Sequence, residues 1–141
     1  LIHQPSYSLL NRRIENNGVL ATLRAENVGC ICFAPLAGGI LTGKYLNGIP
    51  ADSRAGHDPR YLKPQSIRPE QLDKVARLAG IAESRGQTLS QLALSWVLRD
   101  PVVTSALIGA SKPEQILENV KAIENLTFTE EELHEIDAIL A

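Results

Sequence analysis

Apolar residues along the chain follow two alternating patterns. The continuous apolar runs 29–36 and 102–109 are typical of strands buried on both faces, and residues 1–3 resemble the end of another strand. Helical spacing of apolar residues predicts helices in the following segments: 16–29, 68–86, 88–100 and 113–123, with a last helix from residue 129. Strands that alternate with helices in this way predict a parallel sheet covered by helices.

Polar residues and breakers mark where the helices begin. Three pairs have the spacing of a capping box, in which a hydroxyl and a carboxyl or amide side chain satisfy backbone amides: Thr88 with Gln91, Ser111 with Glu114, and Thr129 with Glu132. Between the second strand and the helix at residue 68 lies a long segment, 37–68, that is rich in Gly and Pro and is predicted to be irregular. Loops of this length usually bind ligands or cover a site.

The segment 106–120 combines an apolar run with a helix start that suits an anion. Small residues at 109–111 leave several amides at the positive end of the helix, where a phosphate can bind, and Lys112 adds a cation. At 3.6 residues per turn one helix face is polar (Ser111, Gln115, Glu118 and Asn119) and another is apolar and predicted to join a core (Ile116, Val120 and Ile123). The alternative is that these residues only cap a helix.

Composition narrows the class of protein. The 141 residues suffice for one domain, and a net charge of −2 with dispersed Lys and Arg gives no sign of a nucleic-acid or anionic-membrane partner. No apolar run approaches the roughly 20 residues of a membrane helix. Cys30 and Cys32 would point to the same side of a strand as buried, reduced thiols, which favours a cytoplasmic location, and no metal site is expected. Because the chain lacks Met and opens within a strand pattern, we expect it to be part of a longer protein.

Residues suited to ligand binding follow each of the three strands. Gln4 follows the first, Phe33 and a small-residue loop follow the second, and Gly109 to Lys112 follow the third. In parallel α/β folds ligands bind beyond the carboxyl ends of the strands. Each feature also has a purely structural explanation, but together they favour a nucleotide site.

Three stretches resemble one known family: QPSYSLLNR (4–12), FAPLAGGILTGKYLNGIPADSR (33–54) and LIGASKPEQILENV (107–120). They are similar to the last three βα units of an aldo-keto reductase, an NADPH-dependent (β/α)8 TIM barrel. The nearest groups are bacterial reductases of glyceraldehyde 3-phosphate and methylglyoxal, and potassium-channel β subunits. The resemblance implies that residues 1–141 are the C-terminal part of a single α/β barrel domain, which needs an N-terminal part for completion.

The resemblance also implies a role in NADP(H) binding for individual residues. Gln4 would bond the nicotinamide carboxamide and Phe33 would stack on its ring. A loop would wrap the pyrophosphate through its backbone: Ala34, Pro35, Leu36 and Gly38. Lys44 and Arg54 would clasp the phosphates. The 2′-phosphate and the adenine would be bound by the third strand end and the helix after it: Gly109, Ser111 and Lys112 for the phosphate, and Gln115, Glu118 and Asn119 for the base.

For activity, the resemblance implies reduction of small aldehydes or ketones by hydride transfer. The family's tyrosine, lysine, aspartate and histidine tetrad would lie upstream, so no catalytic residue is expected here and the isolated chain would be inactive. The tyrosines and histidines present are predicted to be structural or exposed: Tyr7, Tyr45, Tyr61, His3, His57 and His134. Two alternatives stay open, an NADPH-binding regulatory subunit and a self-sufficient small α/β module. A homo-oligomer is left open for the complete protein.

Overall fold

The sheet consists of three parallel strands in chain order. The computed structural model describes residues 1–58, 60 and 62–141. Its strands are β1 (Ile2–His3), β2 (Gly29–Cys32) and β3 (Val103–Ala106), with β2 in the centre. His3 lies opposite Cys30, and Cys32 lies opposite Ala106. All three carboxyl ends therefore meet at one edge, as the alternating pattern predicted.

Helices connect and cover these strands. The α-helices are α1 (Arg13–Asn16), α2 (Val19–Ala25), α3 (Arg54–His57), α4 (Pro69–Ser84), α5 (Leu89–Leu98), α6 (Pro113–Val120) and α7 (Glu130–Leu140). Short 3₁₀ helices span Ala37–Thr42, Pro64–Ser66 and Lys121–Glu124. Segment 37–68 therefore contains three short helical elements, and the prediction that it is irregular throughout is wrong. The cause is local, because Pro64 and the capping residue Ser53 each begin a helical turn there.

Two of the three predicted capping boxes are confirmed, those that begin α5 and α7. The box predicted for Ser111 and Glu114 is wrong. Because Pro113 is the first residue of α6, the N-cap position falls on Lys112, one residue after Ser111. Instead the Ser111 amide and hydroxyl donate to Gln115 Oε1, at 2.9 and 3.3 Å.

The core lies between the sheet and the helices. Helix α5 is buried along almost its whole length, from Leu89 to Val97, and Trp96 packs between Tyr7 and the Arg99 guanidinium. The apolar spacing predicts that Leu72, Val75, Ala76 and Ala79 form the buried stripe of α4, but Ala76 is exposed. The residues of α4 that reach the core are Val75, Leu78, Ile81 and Ala82. Burial of these side chains away from water is the main stabilising term of the fold.

Some faces predicted to be buried are open. The predicted apolar face, which runs along α6 into the 3₁₀ helix Lys121–Glu124, is exposed, with fractional exposures of 48% for Ile116, 49% for Val120 and 67% for Ile123. On β3, Thr104 and Ser105 are exposed, so this strand is not buried on both faces as predicted. In the described part of the chain these surfaces keep access to solvent, although Val120 and Ile123 border a cavity together with Leu94 and Leu98 of α5.

Candidate functional site

Hydrogen bonds hold the three strand ends side by side. Phe33 donates its amide to Pro5 O (3.0 Å), and Tyr7 donates its amide to Phe33 O (3.3 Å). On the other side of β2, Leu107 donates its amide to Cys32 O (2.7 Å). The segments that carry Gln4 and Phe33 are thus direct neighbours, and the chain leading to the α6 start leaves β3 beside them. Both side chains are exposed, Phe33 by 46%.

The loop after β2 has an unusual backbone. Ala34 (φ 55°) and Ala37 (φ 50°) adopt left-handed conformations that residues with a Cβ rarely adopt, and Gly38 and Gly39 continue with positive φ. The turns are closed by the Ala37 amide on Ala34 O (3.0 Å) and by the Gly39 amide on Leu36 O (2.9 Å). Such strained backbone is concentrated at ligand sites, where it lets the main chain approach a ligand closely. Pro35 is buried beneath the loop.

Two cations belong to the segment that follows this loop. The Lys44 side chain lies over Gly39, since a Cβ added to Gly39 would be 3.6 Å from Lys44 Cε. Arg54 is exposed at the first position of α3. The structure therefore brings Lys44 to the small-residue loop and leaves the Arg54 side chain on the surface of α3.

Hydrogen bonds to Ser53 and Tyr45, two residues not predicted to belong to the site, fix the position of helix α3. Ser53 Oγ accepts the Gly56 amide (3.2 Å) and donates to Pro50 O (2.6 Å). The buried Tyr45 hydroxyl accepts the Ala55 amide (3.3 Å). Ser53 before a short helix is a recognisable N-cap signal. No pattern in the sequence indicates the Tyr45 contact, because it depends on how the loop folds back.

The third strand end leads into α6 with most predicted residues exposed. Gly109, Ser111, Lys112 and Glu118 are accessible, and the bonds between Ser111 and Gln115 confirm that these two share a face. Asn119 differs, because it is only 7% exposed and lines a cavity of about 420 Å3. The predicted polar strip thus divides into an exposed part and one buried amide.

The tyrosines and histidines described are placed as structural or surface residues. Tyr7 is fully buried; its hydroxyl donates to Glu15 and accepts from Arg99 (3.1 Å), and burial raises its pKa far above the ordinary value. Tyr45 is buried against α3. The three histidines are exposed: His3, His57 and His134. Tyr61 lies outside the described residues.

The two cysteines are buried free thiols on one side of β2, as predicted. Their Sγ atoms are 3.7 Å apart, and burial raises the pKa of both, that of Cys32 to about 12. Across residues 1–58, 60 and 62–141 no three His, Cys, Asp or Glu side chains lie together as metal ligands. In the same residues no helix has both the length and the apolar character to cross a membrane.

Parallel βα units whose strand ends and loops meet at one edge define an α/β protein, the class in which ligands bind beyond the carboxyl ends of the strands. Comparison with known proteins identifies the family. The model of the Aldo/keto reductase family matches residues 1–141, and the chain belongs to this family. The fold class predicted from the sequence, part of a (β/α)8 barrel, is confirmed.

Three similar proteins illustrate the relationship. An L-glyceraldehyde 3-phosphate reductase of Escherichia coli is 54% identical over 100% of this chain. A Schizosaccharomyces pombe protein that carries the name of a voltage-gated potassium channel β subunit is 45% identical over 97% of it. The structure of a glycerol dehydrogenase from Gluconobacter oxydans superposes with a TM-score of 0.78 at 32% identity, over 99% of this chain. The chain spans only 41–42% of the length of these three proteins.

Proposed function

We propose that this chain is the cofactor-binding part of an NADPH-dependent aldo-keto reductase that reduces small aldehydes or ketones, such as glyceraldehyde 3-phosphate or methylglyoxal. The observation that carries the proposal is the meeting of three parallel strand ends at one edge, next to a loop with left-handed alanines. Membership of the family and 54% identity to a glyceraldehyde 3-phosphate reductase support the reaction class.

The fit of a phosphorylated dinucleotide is supported by the donor set of the described residues. Small side chains and positive φ at Ala34 and Gly38 let backbone approach a pyrophosphate, and Lys44 lies next to the same loop. The exposed Ser111 and Lys112 precede the amides at the start of α6, where an additional phosphate group is favoured by the helix dipole. Gln115 and Glu118 lie further along α6 from this helix start, at the positions that the family resemblance gives to the adenine, and both are accessible.

In this proposal the residues of the chain bind and orient, and the nicotinamide supplies the hydride when it is bound. Gln4 would fix the carboxamide, and the exposed Phe33 ring would offer an apolar surface for stacking. Lys44 and Arg54 would neutralise phosphate charge. Because the described tyrosines are held in structural contacts, proton donation to the substrate is assigned to other parts of the complete barrel protein.

The remaining barrel is part of the proposal. Residues 1–141 would belong to a single barrel domain whose other strands cover the exposed edge of β3 and the apolar face of α6. An unpaired strand edge and an apolar helix face both favour such contacts. We use "complete barrel protein" below for this chain together with the other strands and helices of the proposed barrel.

A pair of lysine variants tests the cofactor assignment in the complete barrel protein. Lys112→Met is expected to raise the Kd for NADPH about tenfold and to leave the Kd for NADH nearly unchanged, because a charged hydrogen bond to the 2′-phosphate is lost. Lys121→Met, an exposed lysine at the other end of α6, is the matched control and should change neither Kd. Cofactor fluorescence measures binding. A protein that binds no NADPH, or loses both cofactors equally in Lys112→Met, would contradict the assignment.

A second candidate function is an NADPH-binding regulatory subunit. It is favoured by the 45% identity to the S. pombe protein named as a channel β subunit. The two functions share the cofactor site and differ in chemistry. Multiple turnovers of NADPH with methylglyoxal would support the reductase, whereas tight NADPH binding without turnover, together with capture of a membrane channel, would support the regulator.

A further inference from the structure

The side chain of Gln91 makes two contacts that have different purposes. Its Oε1 accepts the Thr88 amide (3.0 Å) and completes the capping box of α5. Its Nε2 donates to the backbone carbonyl of Glu118 in α6 (2.8 Å). The residue is only 8% exposed, so the second bond lies in a nearly dry environment.

Comparison with the capping box of α7 indicates which of the two contacts requires a glutamine at position 91. Either Glu or Gln can complete such a box through an oxygen. In α7 the residue is Glu132, and its carboxylate also pairs with the Arg85 guanidinium (2.7 Å). In α5 the group next to the side chain is the backbone carbonyl of Glu118. A carboxylate would be repelled by this carbonyl, whereas an amide nitrogen can donate a hydrogen bond to it. The second contact, rather than the cap, therefore requires Gln91.

Further polar side chains bond the segment that continues from α6. Ser95 Oγ donates to Ala122 O (2.9 Å), and Gln87 Nε2 donates to Asn125 O (3.3 Å) and to Ser95 Oγ (2.9 Å). Together with Gln91 these side chains form a row of donors directed at successive backbone carbonyls. In the described residues α6 itself accepts the Gln91 bond, and Ser95 and Gln87 hold the segment directly after it, while the apolar face of α6 is exposed.

We propose that Gln91 is a positioning residue, which holds α6 in the position where its side chains can bind the adenosine end of the cofactor. This inference rests on the proposed function, in which Gln115, Glu118 and Asn119 bind the base. Since these side chains project from the same helix as the carbonyl that Gln91 holds, a displacement of α6 moves all of them relative to the strand ends. Gln91 itself touches no ligand.

The test replaces one atom of Gln91 in the complete barrel protein. Gln91→Glu keeps the cap oxygen and exchanges the donor for an oxygen that faces the Glu118 carbonyl. The Kd for NADPH should rise about tenfold, whereas the Kd for reduced nicotinamide mononucleotide, which lacks the adenosine part, should not change. The kcat at saturating NADPH should also be preserved. Gln91→Met, which is equally long and uncharged, serves as a second variant if Gln91→Glu does not fold. It should raise the Kd for NADPH in the same way.

Thr88→Val is the matched control, because it removes the hydroxyl that accepts the Gln91 amide in the cap and leaves the Gln91 side-chain bond to Glu118. It should lower the melting temperature and leave both Kd values unchanged. Wild-type affinity for NADPH in both Gln91 variants would overturn the positioning role. An equal loss of affinity for NADPH and for the mononucleotide would overturn it as well. The same loss of NADPH affinity in Thr88→Val would also overturn it. If the unaltered protein binds no NADPH, the proposed function fails, a result distinct from these.

Discussion

Gly56 offers a sharp test of the segment that carries Arg54. It is the third residue of α3, and its backbone passes directly against the preceding turn. A Cβ at position 56 would lie 2.4 Å from Pro50 O, 3.0 Å from Ala51 O and 3.1 Å from Ala51 Cα. All three neighbours are backbone atoms, so no side chain can rotate away to relieve the contact.

The expected cost follows from this geometry. Non-bonded carbon atoms are most stable at about 3.5–4.0 Å apart. The Gly56→Ala methyl, at 2.4 Å from Pro50 O, would lie far inside van der Waals contact, so either α3 or the turn at 50–51 must move. Overpacking of this kind typically costs about 1–3 kcal/mol. If this strain displaces Arg54 from bound phosphate, the Kd for NADPH rises between about 5-fold and about 150-fold.

The measurement compares two identical substitutions in the complete barrel protein. Gly80 lies in the interior of α4, with nothing within 4 Å of an added Cβ. Gly80→Ala should stabilise the helix by about 0.5–1 kcal/mol, raise the melting temperature by about 1–4 °C and leave the Kd for NADPH unchanged. Wild-type affinity for NADPH in Gly56→Ala would show that the position of α3 does not matter for binding, and would refute the role given to this segment.

Three further predictions concern the protein's interior. Arg85→Met should lower the free energy of unfolding in urea by about 1–3 kcal/mol, because the partly exposed Glu132 carboxylate loses the charged donor that lies 2.7 Å from it; an unchanged free energy of unfolding would contradict a stabilising role for this pair. Although partial burial opposes it, the hydrogen bond from the Thr129 amide and the Arg85 guanidinium hold the pKa of Glu132 below its usual value. The stabilisation by this pair should therefore be present above about pH 5 and be lost as pH falls through the lowered pKa. A stability–pH curve that is unchanged by Arg85→Met would contradict this. Cys30 and Cys32 should react with a thiol reagent at pH 8 only upon unfolding, since both are fully buried and Cys32 has a pKa of about 12; rapid labelling of the folded protein would refute their burial.

Elements whose signals are local could be predicted from the sequence. The period of apolar residues predicted the parallel strands and the main helices, and the boxes at Thr88 and Thr129 were identified from spacing alone. The capping box predicted at Ser111 is wrong because the N-cap is defined by the first residue of the helix. That residue is Pro113, so the N-cap falls one residue after Ser111. Local patterns therefore give element types reliably, while a cap depends on a boundary that one proline can move.

The site was predictable as a set of strand ends, but not in its supporting contacts. That Gln4, Phe33 and the start of α6 follow adjacent strands is a consequence of parallel order. The left-handed backbone at Ala34 and Ala37 has no sequence signal, because alanine normally avoids it. These conformations and the Tyr45 contact depend on tertiary packing, so they could only be found in the folded chain.

Helix α6 shows why hydrophobic pattern and site geometry carry different information. Apolar burial is non-directional, so the face formed by Ile116, Val120 and Ile123 can specify that the helix packs against something, but not where along its axis it stops. Hydrogen bonds are directional and lose strength over a few tenths of an ångström, so the donor at Gln91 can fix that axial position. Under the proposed function α6 presents the side chains that bind adenine and needs both kinds of contact, and the Gln91 bond supplies the directional one. The cofactor affinity should accordingly be more sensitive to Gln91 than to any single apolar residue on the exposed face.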